Sequence, residues 1–103
     1  MGEARHHMIV ITYWKPDTLA KAWQKARKLQ LTPTTVIASA REGWLTFYIT
    51  PDGSKEGWTE SEAWDDRRLE FCAFLEEECP AVDYVLLEYG GSDGRPPLIV
   101  RFQ

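Results

Sequence analysis

The stretch from Thr50 to Glu78 reads T-P-D-G-S-K-E-G-W-T-E-S-E-A-W-D-D-R-R-L-E-F-C-A-F-L-E-E-E. A strand ends in it and a long helix begins. Pro51 presets one backbone dihedral, and Gly53 permits the left-handed values that a tight turn requires. Thr59 and Glu62 are spaced as a capping box, in which hydroxyl and carboxylate each satisfy an orphan backbone donor. Trp64, Phe71, Cys72 and Leu75 recur at helical spacing and define the stripe that should be buried. Arg68 falls in the same stripe. It must snorkel to water or meet an acid, because an unpaired buried charge is costly. Pro80 ends the helix.

Working outward, Met8 to Trp14 (M-I-V-I-T-Y-W) is dominated by β-branched and aromatic side chains, which predicts a central strand buried on both faces. Residues 1–7 carry no pattern and are expected to form a flexible tail, with Met8 as an alternative natural start and 8–103 as the single domain. Pro16 and Asp17 open a helix capped by Asp17 or Thr18. Its Leu19, Ala22, Trp23, Ala26 and Leu29 should face a sheet. Thr34 to Ala40 and Trp44 to Thr50 read as strands joined by a hairpin, with Gly43 in the left-handed conformation. Asp83 to Tyr89 is a further strand, and Leu98 to Phe102 the last. The preceding proline pair suits an edge position, where a missing amide donor is tolerated. The order β-α-β-β-α-β, with a fifth strand appended, is the ferredoxin-like order. It predicts an α+β fold with two helices on one face of an antiparallel sheet.

The chain has 103 residues, enough for one core. Its longest apolar runs fall far short of the ~20 residues that span a bilayer. The start M-G-E-A-R-H-H lacks a secretory hydrophobic segment, and His6 stands where a myristoylation signal has Ser or Thr. The expected location is the cytoplasm. Cys72 and Cys79, about 10 Å apart along one helix, are too distant for a disulfide and read as buried thiols. The net charge of −4 divides unevenly: residues 1–41 hold seven basic and two acidic residues, and 42–103 hold five and fourteen. Such a division places faces of opposite sign on one molecule.

The P-D-G-S-K-E-G-W-T run, with its acidic helix and the strand D-Y-V-L-L-E-Y-G, resembles small uncharacterised proteins of tailed phages and prophages. The resemblance covers Tyr48 to Gly90. It implies an origin, and carries over no catalytic residue.

Each chemical reading meets a simpler one. Asp52, Glu56, Glu60, Glu62, Asp65 and Asp66 lie on several sides of a turn and a helix start, where the helix dipole alone favours acids. No metal or cofactor is expected from them. His6 and His7, on a tail, would lack the fixed geometry that catalysis needs. Ser54 beside Lys55 has no identifiable oxyanion donor, so a small hydrolase ranks last. Lys21, Lys25 and Lys28 share one helix face that suits phosphates and equally suits solvent. The aromatic signature of RNA-recognition strands is absent, and Glu88 would repel a nucleic acid if it points to the open sheet face. Among the five tryptophans, Trp23 and Trp64 have core spacing, Trp58 should staple the helix start, and Trp14 and Trp44 end strands.

The sequence therefore predicts a small non-enzymatic intracellular interaction protein. It should bind a protein partner through the acidic helix, at Glu60, Asp66, Glu70 and Glu77 with Trp58. Such a face can imitate nucleic-acid phosphates. The alternative is a nucleic-acid-binding module using Lys21, Lys25 and Lys28.

Overall fold

The structure, a computed structural model, describes residues 5–40, 42–51, 59–91 and 94–103, without the side chains of residues 59–61. The elements run β1 (His6–Tyr13), α1 (Pro16–Lys28), β2 (Ile37–Ala38), β3 (Leu45–Ile49), α2 (Thr59–Glu78), β4 (Asp83–Tyr89) and β5 (Leu98–Phe102). The strands form one five-stranded sheet in the order β2-β3-β1-β4-β5, with every neighbouring pair antiparallel. The fold class is α+β.

Register explains where the core lies. Ile9 and Ile11 of β1 stand opposite Ile49 and Phe47 of β3, and opposite Leu86 and Tyr84 of β4. All six are buried on one sheet face with Leu19, Ala22 and Ala26 of α1, Phe71, Cys72 and Leu75 of α2, and Cys79, which lies one residue beyond α2 rather than on the same helix as Cys72. Both helices thus cover the same face. Successive strand residues point to opposite sides, so Met8, Val10 and Thr12 emerge on the other face. They are only half-buried, which corrects the expectation that β1 is buried on both sides.

Several boundaries differ from the expected ones. The strand begins at His6, not Met8, and Arg5 is fully buried, so the expected tail does not extend over residues 5–7. Backbone pairing of His6 with Tyr89 and His7 with Glu88 holds this segment in the sheet. α1 starts at Pro16 with Lys15 as its N-cap, and no side chain caps it. Proline suits that first position because its missing N–H would have no intrahelical partner there. The expected strand Thr34 to Ala40 reduces to Ile37–Ala38, with an isolated bridge between Pro33 and Ile49. Its end is closed by Ser39 N–H donating to the Trp44 carbonyl, while Glu42 and Gly43 both adopt positive φ. The Pro51–Gly53 turn, beyond Pro51, and the capping-box side chain of Thr59 lie outside the described residues.

Gln30 terminates α1 in an unexpected way. At φ 62° it occupies the left-handed region normally left to glycine. The Leu31 amide donates to the Ala26 carbonyl and the Gln30 amide to Arg27. This is a Schellman closure, which satisfies carbonyls that the helix end leaves unpaired. Leu31 is buried immediately after it, which turns the chain back toward β3.

Candidate interaction surface

On α2 the exposed carboxylates fall into a stripe. Asp66, Glu70 and Glu77 lie within about 40° of arc at 3.6 residues per turn, and all three are exposed. Exposed Leu69 flanks them. Glu60 and Trp58, expected to join this surface, have side chains outside the described residues.

The stripe borders α1. Lys25 Nζ lies 3.7 Å from Glu70, and Lys21 Nζ lies 3.7 Å from Glu78. The charge division read in the sequence is therefore partly internal, since basic and acidic helices lie side by side. The Lys21–Glu78 pair is well exposed, and Glu70 is exposed beside a half-buried Lys25, so both pairs contribute little to stability. Lys21, Gln24, Lys25, Arg27 and Lys28 also line an open groove of about 560 Å³ with Phe74. The basic face thus exists, but two of its lysines already neighbour acids.

A smaller cleft of about 230 Å³ lies between α2 and the sheet, lined by His7, Asp65, Arg68, Leu69, Leu86, Glu88 and Val100. Its charges are mutually engaged. Arg68, 3% exposed, places its guanidinium 2.5 Å from Asp65, which is the acid that the buried stripe demanded. Glu88 accepts an ion pair from Arg5 at 3.5 Å, and His7 Nε2 lies 3.9 Å away. Arg5 also donates to the Gly90 carbonyl. Glu88 thus sits on the helix-covered side, beside His7, and does not point to the open face as considered above. Local composition hides this cluster, because Arg5, His7 and Glu88 are polar residues continuing two apolar strands. Their alternation with Ile9 and Leu86 is the signal that marks them as inward-facing.

Behind α2 a clasp joins the helix to the last strand. Glu76 accepts two hydrogen bonds from Arg101, at 2.7 and 2.5 Å, and one from the Tyr84 hydroxyl. These bonds hold the Glu76 carboxyl down at about 2. Burial and the neighbouring carboxylate push the Tyr84 phenol up, and burial pushes the Cys72 thiol up to about 11. A thiol in that state is a poor nucleophile at neutral pH. Gln103 donates to the Cys79 and Val82 carbonyls and anchors the chain beyond β5.

The tryptophans with core spacing do pack against the core. Trp23 and Trp64 are half-buried at the core margin, with Arg27 and Arg67 lying over their rings. Trp14 is exposed and Trp44 is half-buried. Among the described residues, no group of three or more His, Cys, Asp or Glu side chains is placed to hold a metal ion. No described helix is long and apolar enough to cross a membrane. Comparison with known proteins finds no matching family model, curated protein or solved structure.

Proposed function

We propose that this chain is a small non-enzymatic intracellular interaction protein of phage origin that binds a protein partner through the acidic face of α2. The observation that supports this reading is the alignment of exposed Asp66, Glu70 and Glu77 along one side of a helix whose other side is fixed in the core. A rigid helix presents charge without an ordering cost, and spaced carboxylates suit a basic partner, including one that otherwise binds nucleic acid. Leu69 adds an apolar contact beside the charges. The strand order supports a ferredoxin-like reading of β1 to β4, with β5 added outside β4.

The test is recovery of partners from a bacterial lysate by wild-type protein and by the Asp66→Asn, Glu70→Gln, Glu77→Gln variant. Loss of specific partners from the variant supports the reading, and unchanged recovery removes α2 as the interface. Nucleic acid is the second reading, favoured by the groove of Lys21, Gln24, Lys25, Arg27 and Lys28. It places phosphates on α1 and demands binding that weakens steeply with salt.

A further inference from the structure

The sheet face opposite the helices is the least explained surface of the molecule. Register places Ile37 of β2, Thr46 and Tyr48 of β3, Met8, Val10 and Thr12 of β1, and Val85 and Leu87 of β4 on it. On β5, Ile99 lies opposite Leu87 and Phe102 opposite Val85, so both join the same face. Ile99 is 65% exposed and Phe102 71% exposed, and Ile37 is exposed at the far edge. The only charged side chain that register brings to this face on the described strands is Asp83, at one end of β4. Thr12 and Thr46 satisfy each other across the strands, with 3.0 Å between their hydroxyl oxygens.

We infer that this open sheet face packs against the same face of a second copy of the chain, forming a two-fold dimer. Three observations select a second copy. A flat, largely apolar face, with Asp83 only at one end of β4, is complementary to itself, as a two-fold interface requires. The chain carries a net charge of −4, so two copies approach most easily where each presents least charge. The size also fits. Five strands at ~4.8 Å spacing and five residues at ~3.4 Å give about 400 Å² of flat area per copy. Two copies thus cover about 800 Å² before side-chain relief is added, near the roughly 1,000 Å² that a specific interface needs.

The face, not the edges, is the site. β2 has two residues, and β5 follows Pro96 and Pro97 and pairs irregularly at Leu86/Leu87. Short strands, prolines and bulges are the features that blunt an edge against strand addition. Sheets stacked face to face sit about 10 Å apart with interdigitated side chains, an arrangement Ile99 and Phe102 are placed to enter. This interface lies on the opposite side of the sheet from the acidic stripe, so the two proposals stand or fall separately.

Sedimentation velocity over a concentration series tests the inference on the full chain. Wild-type protein is expected to dimerise. The Ile99→Glu, Phe102→Glu variant should weaken self-association by about a hundredfold or more, since it buries charge in an apolar contact. Both residues are exposed, so circular dichroism should show an unchanged fold. Leu98→Glu, on the helix side of the same strand, should leave the dimer intact, as should Asp66→Asn, Glu70→Gln, Glu77→Gln. A monomer at every concentration, an open-ended polymer, a dimer that survives the double variant, or one abolished by Leu98→Glu would each overturn the inference.

Discussion

At the scale of single residues, two side chains carry unusual conformational or electrostatic loads. Gln30 closes α1 at positive φ, where a side chain costs about 1 kcal/mol or more. Replacing it with glycine removes that cost and also loosens the unfolded chain, so the gain is partial. Gln30→Gly should stabilise the protein by about 0.5–1 kcal/mol, read as a higher urea midpoint with an unchanged slope. Glu76 makes an opposite kind of demand. Its carboxyl is held at about 2, below the ordinary 4.5, by Arg101 and then Tyr84. A depressed carboxylate stabilises the fold above the unfolded value, and that contribution is lost as pH falls from about 4.5 to about 2. Glu76→Gln should therefore be less stable than wild type near neutrality, and the difference should shrink across that acid window. Equal differences at both ends of an acid titration would show that the clasp is not coupled to folding.

At the scale of elements, the helices and the later strands were the most legible in the sequence. The stripe Leu19, Ala22, Ala26 and the stripe Phe71, Cys72, Leu75 both reach the core, because a 3.6-residue period has one geometric solution. β4 and β5 also lie where alternation and the proline pair placed them. What the sequence hid were pairings over long separation. Arg5 and His7 look like tail residues until β4 lies beside them, and nothing local announces that Glu88 is their partner. The segment Thr34 to Ala40 has strand composition, yet it pairs only at Ile37 and Ala38. The surface shows the same limit. Periodicity aligned Asp66, Glu70 and Glu77, whereas the proximity of Lys21 and Lys25 to Glu78 and Glu70 required the packing of α1 on α2.

That packing yields a prediction for the helix pair. Lys21→Glu, Lys25→Glu places acids beside Glu78 and Glu70 and should cost less than about 1 kcal/mol, because the pairs are exposed and screened. The cost should fade as salt is raised, which a denaturation series at two ionic strengths would show. The same variant separates the functional readings. If α1 contacts phosphates, wild type binds DNA or RNA in filter or fluorescence assays and the variant does not. The acidic-helix account expects no lysine-dependent binding at physiological salt.

At the scale of the whole molecule, one sheet separates two surfaces of different chemistry. The helix side offers charge on α2, and the open side offers an apolar plane between β2 and β5. Binding through the charged side is tested most directly by recovery of partners from a bacterial lysate at low and high salt. Wild-type protein should retain defined partners at low salt and release them as salt rises, because screening weakens contacts between exposed charges. The Asp66→Asn, Glu70→Gln, Glu77→Gln variant should fold as wild type does, with a stability change within about 0.5 kcal/mol. It should recover those partners weakly, with little further dependence on salt. Recovery of the same partners by both proteins, at equal strength and with equal salt sensitivity, would contradict the account.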